Sequence, residues 1–264
     1  MRCLSILFVV LLLGGCAGSL AGRLTLPDRN TLVRDQLVIH SDFALSAHHR
    51  LFEELTAQRT ELCRRLELPR SDEPIQVYLF EKPERFQGFM KLHYPKFPNR
   101  RAFFVETDTE LTVYAQWGER MADDLRHEVT HAYVHAVAPN VPVWLDEGIA
   151  KYFEVPRGSR GMNRPLFERL LVRVKTEHWQ PDLRRLESLR GSEDMNQDDY
   201  AEAWAWVHFL IESRPERIGL LQGYLGQLRA EGTAVPISAR LPGVIRQPNA
   251  ALLEHIARLE NGDW

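Results

Sequence analysis

The fold and the chemistry of the chain centre on residues 127–150, which open with H-E-V-T-H at 127–131 and close with W-L-D-E-G-I-A at 144–150. Residues four positions apart on an α-helix lie on one face, one turn above the other. His127 and His131 can therefore direct imidazole nitrogens at one ion. Glu128 can reach the open side of that ion, where a water would sit. The H-E-x-x-H pattern is typical of a helix that binds zinc.

Two histidines are too few for a catalytic zinc site, which usually has three protein ligands and leaves the fourth position for water or substrate. His135 extends the series, but eight residues of helix span about 12 Å, whereas a zinc–nitrogen bond measures about 2.1 Å. We therefore expect His135 to pack beside the site and the third ligand to come from elsewhere, with Asp146 and Glu147 as the next candidates. The alternative is a helix with two surface histidines and a glutamate, since a chance match in such a chain has odds of roughly a few per cent.

The closing heptapeptide resembles the W-L-x-E-G-x-A signature of gluzincin metallopeptidases at all five fixed positions. In that clan the glutamate before the glycine is the third zinc ligand, which implies Glu147 here. The gap from His131 to Glu147 is closer to that of peptidase MA-like families than to that of the aminopeptidase N family. Residues 200–209 also resemble the helix that follows the site in those families. The resemblance is specific over about residues 100–215.

This resemblance implies an α+β fold of the thermolysin-like, gluzincin type and a zinc-dependent peptidase activity on a peptide or protein substrate. Glu128 would be the general base, and Tyr200 the donor to the developing oxyanion. The alternative for Tyr200 is a core tyrosine, and His208 is a weaker candidate for the same role. Gly148 is expected to let the helix of Glu147 approach the zinc helix closely.

Two departures from the related enzymes affect the prediction. Thermolysin-type enzymes place an aspartate four residues after the third ligand, where this chain has Lys151, so the histidines must be oriented differently. The chain also lacks the G-A-M-E-N segment with which the aminopeptidase N family holds a free amine. We therefore expect an endopeptidase. By the same resemblance, the strand predicted at 111–116 should be a sheet edge to which extended peptide adds.

Apolar and β-branched patterns divide the chain into an α/β half with a mixed sheet at 36–116, a zinc-binding helical half at 117–232 and a C-terminal extension at 233–264. Strands are predicted at 37–40, 75–80, 101–105 and 111–116, with a hairpin turn at 107–109. A long helix is predicted over 43–66, with Ser41 and Asp42 as its N-cap pair. A second helix is predicted over 120–136, and helical patterns dominate from 142 onward.

The first fifteen residues have the pattern of a secretory leader: Arg2, an apolar run at 4–13, and then L-G-G-C at 13–16. This ending resembles a bacterial lipobox, which implies cleavage before Cys16, a lipid on that cysteine, and a tether at 16–35. The alternative is an ordinary leader with a chance cysteine. Ala17 favours the outer membrane, facing the periplasm. Cys63 remains as a lone cysteine, and we expect it to be a small, buried apolar residue.

The composition limits the other classes of function. The net charge of −3 argues against a nucleic-acid partner, and 44% hydrophobic with 26% charged residues predicts a globular body. Two alternatives to a peptidase remain. One is a catalytically inactive zinc-binding envelope lipoprotein that acts as a binding or scaffolding module, for which Glu128 would be unnecessary. The other is a zinc hydrolase of peptidoglycan cross-links. The sequence leaves the oligomeric state open.

Overall fold

A mixed five-stranded sheet forms the N-terminal half of the protein. The computed structural model describes residues 25–46 and 48–262, so the predicted leader and Cys16 lie outside the described residues. The strands follow the order β1-β2-β3-β5-β4. Parallel pairing joins β2 to β3 and β3 to β5, whereas β1 and β4 run antiparallel to their neighbours. The bounds are β1 Asn30–Arg34, β2 Leu37–Ser41, β3 Ile75–Phe80, β4 Ala102–Glu106 and β5 Leu111–Gln116.

Helices pack on both faces of the sheet and make up the C-terminal half, so the predicted α+β class is confirmed. Their bounds are α1 Arg50–Leu66, α2 Pro83–His93, α3 Met121–His135, α4 Val143–Phe153, α5 Arg164–Thr176, α6 Leu183–Glu187, α7 Gln197–Glu212, α8 Pro215–Glu231, α9 Ile237–Arg240 and α10 Pro248–Glu260. Among the described residues, no helix is both long and apolar enough to cross a membrane.

Two local predictions were wrong at the N-terminal end. Asn30–Arg34, inside the predicted tether of residues 16–35, forms β1 and pairs with β2. The long helix begins at Arg50 instead of residue 43, and His49 caps it by accepting a hydrogen bond from the backbone N–H of Leu51. Ser41 ends β2, and the carboxylate of Asp42 binds the backbone N–H of Glu81 and the guanidinium of Arg85. Capping residues predict a helix start only where tertiary contacts leave them free.

The main core lies between the sheet and helices α1, α3, α4 and α7. A buried polar contact ties two of these helices together, because Gln58 on α1 donates to the carbonyl of Arg126 and to the hydroxyl of Thr130 on α3. A second cluster on the opposite face of the sheet packs under α2; it comprises Phe80, Phe86, Phe89, Met90, Phe103 and Tyr114. The helix with the H-E-x-x-H pattern is therefore held against a sheet that is covered on both faces.

Cys63 agrees with the expectation of an apolar role only in part. It is free and half-buried against the core, and burial raises the pKa of its thiol. A raised pKa makes the nucleophilic thiolate scarce near neutral pH. The side chain is therefore a packing residue.

The exposed edge of the sheet beside α3 is β4. The prediction that Leu111–Gln116 forms an edge was wrong, because β5 lies between β3 and β4. Two backbone hydrogen bonds flank the β4–β5 ladder, one from the N–H of Thr107 to the C=O of Glu110 and one from the N–H of Gln116 to the C=O of Arg101. They show that the odd-numbered residues of β4 direct their backbone groups to β5. Peptide groups alternate along an antiparallel edge strand. Ala102, Phe104 and Glu106 therefore direct their N–H and C=O groups away from the sheet.

Candidate metal centre

The two histidines of H-E-x-x-H converge as their helical spacing predicts. Asp123 and Asp124 lie in the first turn of α3, where the helix dipole favours acidic residues. His127 and His131 are buried on one face, and their Nε2 atoms lie 3.2 Å apart. The pair therefore presents two nitrogens to one point.

Glu147 on α4 completes a group of three. Its Oε2 atom lies 3.5 Å from Nε2 of His127 and 3.9 Å from Nε2 of His131. Zinc bonds of about 2.1 Å in tetrahedral geometry place ligand atoms about 3.4 Å apart, so the observed spacing fits such an ion. Oε2 is buried and receives no hydrogen bond within the described part of the chain. Burial raises the pKa of Glu147, but the two imidazoles outweigh it and hold the pKa below its usual range. The donor set fits a divalent metal ion.

Each histidine has a carboxylate behind it, although Lys151 occupies the position of the orienting aspartate in thermolysin-type enzymes. Nδ1 of His127 lies 3.0 Å from Oε2 of Glu154, to which Lys151 also donates at 2.7 Å. Nδ1 of His131 lies 2.8 Å from Oδ2 of Asp146. Carboxylates in this position set the ring orientation and leave Nε2 for a metal.

The carboxylates around His127 shift its pKa, and His127 in turn shifts that of Glu154. Burial lowers the pKa of His127, but Glu147 and Glu154 outweigh it and raise it to about 9. Burial raises the pKa of Glu154, but His127 and Lys151 bring it to about 2. In the metal-free protein His127 is therefore protonated near neutral pH, and a metal ion would displace that proton.

His135 packs beside the site and is not one of the three converging residues, as predicted from the helix rise. Its Nε2 atom lies 3.2 Å from Oδ2 of Asp146, and its Nδ1 atom lies 2.6 Å from Oε2 of Glu106. Burial lowers the pKa of His135, but these two carboxylates outweigh it and raise it to about 9. The resulting cation helps to keep Asp146 ionised behind His131.

Glu128 faces the sheet edge. Its Oε2 atom accepts a hydrogen bond of 2.7 Å from the backbone N–H of Phe104, one of the outward-facing groups of β4. Glu128 is half-buried and lines a cavity of about 490 Å³ together with His127 and Glu147. The carboxylate is therefore held between the candidate metal ligands and the edge strand.

Tyr200 reaches the same cavity from the first turn of α7, which begins with a capping box between Asn196 and Asp199. Its hydroxyl accepts a hydrogen bond of 3.4 Å from Nη2 of Arg100. Burial and the charge of Glu147 raise the pKa of the phenol, so it remains a proton donor near neutral pH. The weaker candidate, His208, lies in the core against His255 and lines a different cavity.

Gly148 packs α4 against a different helix from the one predicted. A Cβ atom at this position would lie 2.7 Å from the backbone oxygen of Ala203 and 2.7 Å from Cγ2 of Val207, both on α7. The expected close approach is therefore to α7, and not to α3, the helix with the H-E-x-x-H pattern. This contact brings the helix of Glu147 and the helix of Tyr200 to one cavity.

Two charged residues of this cavity that contact the predicted site residues, Arg100 and Glu154, were missed by the sequence analysis. Glu154 lies seven residues after Glu147, so helical periodicity places both on one face of α4. That spacing could have identified it. Arg100 lies in the loop between α2 and β4, and no sequence pattern connects it with the site.

Two buried histidines and a glutamate, beside a second glutamate on the histidine helix of an α+β fold, define a metallopeptidase-like site. The chain belongs to the Peptidase MA superfamily, whose sequence profile matches residues 64–234, more than half of the 264 residues. No curated protein matches the chain. The matched range contains the three converging residues, Glu128 and Tyr200.

Proposed function

We propose that the protein is a zinc-dependent endopeptidase of the gluzincin type, tethered by lipid to the bacterial cell envelope. The observation that carries the proposal is the convergence of His127, His131 and Glu147 beside Glu128, at the wall of an open cavity. A binding module with a structural metal ion would have no need of a carboxylate at the position of Glu128. Ligands of the His and Glu type suit zinc among the common divalent ions.

The residues of the cavity divide the chemistry of peptide hydrolysis among them. A zinc ion held by His127, His131 and Glu147 would supply an acidified water and polarise the substrate carbonyl. Glu128 takes the proton of the attacking water and delivers it to the leaving amine. The hydrogen bond from Phe104 holds its carboxylate in position. The hydroxyl of Tyr200 donates to the developing oxyanion.

The edge strand β4 supports endopeptidase action. Ala102 borders the cavity, and its outward N–H and C=O groups offer an extended peptide backbone hydrogen bonds next to Phe104, whose N–H holds Glu128. An aminopeptidase needs a free carboxylate for the substrate amine. The cavity-lining acids outside the proposed catalytic set are already paired: Asp123 with Arg126, Asp124 with Arg101, and Glu154 with Lys151. An internal stretch of peptide therefore suits the cavity better than a free N-terminus.

The test compares the full chain, purified in detergent, with Glu128→Gln and Glu147→Gln. Bound metal is measured by elemental analysis, and cleavage by mass spectrometry of a mixed peptide library and of peptidoglycan fragments. We expect one zinc per chain in the unchanged protein and in Glu128→Gln, because the amide can still accept the hydrogen bond from Phe104. Cleavage should fall by roughly a thousandfold or more in Glu128→Gln. Glu147→Gln should lose the metal.

Other outcomes select the alternatives. Full metal content with no cleavage by the unchanged protein would favour a binding or scaffolding module. Cleavage confined to peptidoglycan fragments would favour a cell-wall hydrolase. A protein that binds no divalent metal would contradict the proposed site itself.

The envelope tether has its own test. In a bacterial host fed a labelled fatty acid, the unchanged chain should incorporate label and sediment with membranes. Cys16→Ser should do neither, whereas Cys63→Ser serves as the matched control and should behave like the unchanged chain. Separation of inner and outer membranes then tests the proposed outer-membrane location. Equal labelling of Cys16→Ser would contradict the lipid anchor.

A further inference from the structure

One guanidinium in the cavity has no carboxylate partner. Arg100 projects from the exposed loop between α2 and β4, and its hydrogen bond of 3.4 Å goes to the neutral hydroxyl of Tyr200. Within the described part of the chain it forms no ion pair. It lines the same cavity as Glu128, Glu147 and Tyr200, so it lies close to the proposed chemistry. Burial lowers the pKa of Arg100, but Tyr200, Glu147 and Glu128 outweigh it and raise that pKa.

The other cations that line the cavity are either neutralised or at its rim. Arg101 lies 2.6 Å from Asp124, and Lys151 lies 2.7 Å from Glu154. Arg120 is more than half exposed and lies 3.9 Å from Asp123, which is already paired with Arg126 at 2.5 Å. Arg100 is therefore, among the described residues, the cation without a carboxylate partner that lies beside Tyr200.

The site keeps this positive charge when it is loaded. The carboxylates of Glu147 and Glu128 together balance the charge of one divalent ion, and the two histidine ligands are neutral when they bind a metal. Arg100 is then the uncompensated charge at the cavity wall. Its planar fork of N–H donors matches the two oxygens of a carboxylate, a geometry that lysine cannot reproduce.

Arg100 also lies where a bound peptide would pass. It precedes Ala102, the first residue of the edge strand, by two positions, and the outward face of that strand leads to Glu128. If a substrate peptide pairs with β4 beside Glu128, the side chains or terminus next to the cleaved bond would therefore lie close to the guanidinium of Arg100.

We propose that Arg100 binds a carboxylate of the substrate and makes the enzyme selective for peptides that are acidic next to the cleaved bond. The carboxylate can be an Asp or Glu side chain or a free C-terminus. This inference rests on the proposed peptidase function, because it assigns the substrate class of the same site.

The test measures a preference ratio with the zinc-loaded full chain in detergent. A peptide cleaved in the library is resynthesised in matched pairs, Glu against Gln at each position near the cut, and free acid against amide at the C-terminus. We expect kcat/KM to favour the carboxylate member of one pair by about tenfold or more. The pair that responds identifies the source of the carboxylate. Arg100→Gln should bring that ratio close to one, and Arg100→Lys should restore part of it.

Arg64 provides the matched control, because it is exposed at the end of α1 and does not line the cavity. Arg64→Gln should keep both the activity and the ratio. A preference that survives in Arg100→Gln, or cleavage without any preference for a carboxylate, would overturn the inference and leave the proposed peptidase function intact.

A binding measurement separates the two proposals. The zinc-loaded Glu128→Gln protein is titrated calorimetrically with the same peptide pairs, with and without Arg100→Gln. If the library yields no cleaved peptide, the Glu/Gln and acid/amide pairs are made from a library peptide that the protein binds. If the unchanged chain cleaves nothing but Glu128→Gln binds the carboxylate member more tightly, and only while Arg100 is present, the peptidase function fails and the carboxylate site stands. Equal binding of both members, with Arg100 present, would overturn the carboxylate site.

Discussion

At the scale of single residues, adjacent acids on α4 have different tasks because of helix geometry. Successive residues of an α-helix differ by about 100° in direction. Glu147 therefore faces the Nε2 atoms of both histidines, whereas Asp146 lies at Nδ1 of His131. Glu154, two turns further along, takes the corresponding place behind His127. Each acid around the site thus has its own proposed role: Glu147 is a ligand, Glu128 is the base, and Asp146 and Glu154 orient the histidines.

We predict that Glu154→Gln weakens zinc binding by about 10- to 100-fold, because loss of the carboxylate behind His127 makes that histidine a poorer ligand. Competition with a chromophoric chelator measures the affinity. Glu168→Gln, on the exposed face of α5, is the control and should leave the affinity unchanged. Equal affinities for both variants would show that Glu154 does not support His127.

At the scale of elements, the contact between α4 and α7 brings the candidate metal ligand Glu147 and Tyr200 to one cavity. Gly148 provides the close approach, and α7 carries Tyr200 one turn from its start. The nearest obstacles to a side chain at Gly148 include a backbone oxygen, which cannot rotate away. The helix pair must separate to accept even a methyl group.

We therefore predict that Gly148→Ala lowers the free energy of unfolding by about 1–3 kcal/mol, the usual cost of overpacking a core. Gly219→Ala, in α8, is the matched control because a Cβ atom there meets nothing within 4 Å. Alanine favours a helix over glycine by up to about 1 kcal/mol, so the control should be neutral or stabilising. Urea unfolding of both variants measures the difference, and equal stabilities would contradict the tight helix contact.

At the scale of the whole molecule, the predicted C-terminal extension is packed onto the catalytic half. His255 on α10 and His208 on α7 are both buried, with Nε2 of His255 2.9 Å from Nδ1 of His208. Burial lowers the pKa of His208 to about 4, and burial with the neighbouring His208 lowers that of His255 to about 3. Both imidazoles are therefore neutral in the folded protein at pH 6.

This pair predicts a loss of stability in acid. In the unfolded chain both histidines titrate near pH 6.5, so below that pH the unfolded state binds more protons than the folded state. The free energy of unfolding therefore falls as the pH decreases from about 7 towards 4. We expect a loss of roughly 1–2 kcal/mol per histidine by pH 5.

Urea unfolding at pH 7.5 and pH 5 tests the effect with His255→Phe. This variant removes one titrating group, so its stability should fall less between the two pH values than that of the unchanged chain. The other ionisable groups are the same in both proteins, so their contributions cancel in the comparison. An equal fall in both would show that His255 is not held neutral by the fold.

Local patterns in the sequence determined which residues share a helix face and where two of the strands lie. The spacing of His127 and His131 places them on one helix face, the helix rise excludes His135 as a ligand, and the alternating runs at β3 and β5 define those strands within their observed bounds. These inferences hold because helix and strand periodicity depend on neighbours along the chain. The W-L-x-E-G-x-A resemblance, also a local pattern, identified Glu147 as the third candidate ligand, and the fold brings it to the histidines.

Only the tertiary structure decided which parts of the chain meet across long separations. It made β4 the sheet edge, placed Gly148 against α7, put Glu154 behind His127, and brought Arg100 to Tyr200 a hundred residues away. No short-range periodicity carries such information, because these contacts depend on how whole elements pack. The candidate metal ligands could therefore be anticipated from the sequence, whereas the carboxylates behind them and the guanidinium that we propose selects the substrate could not.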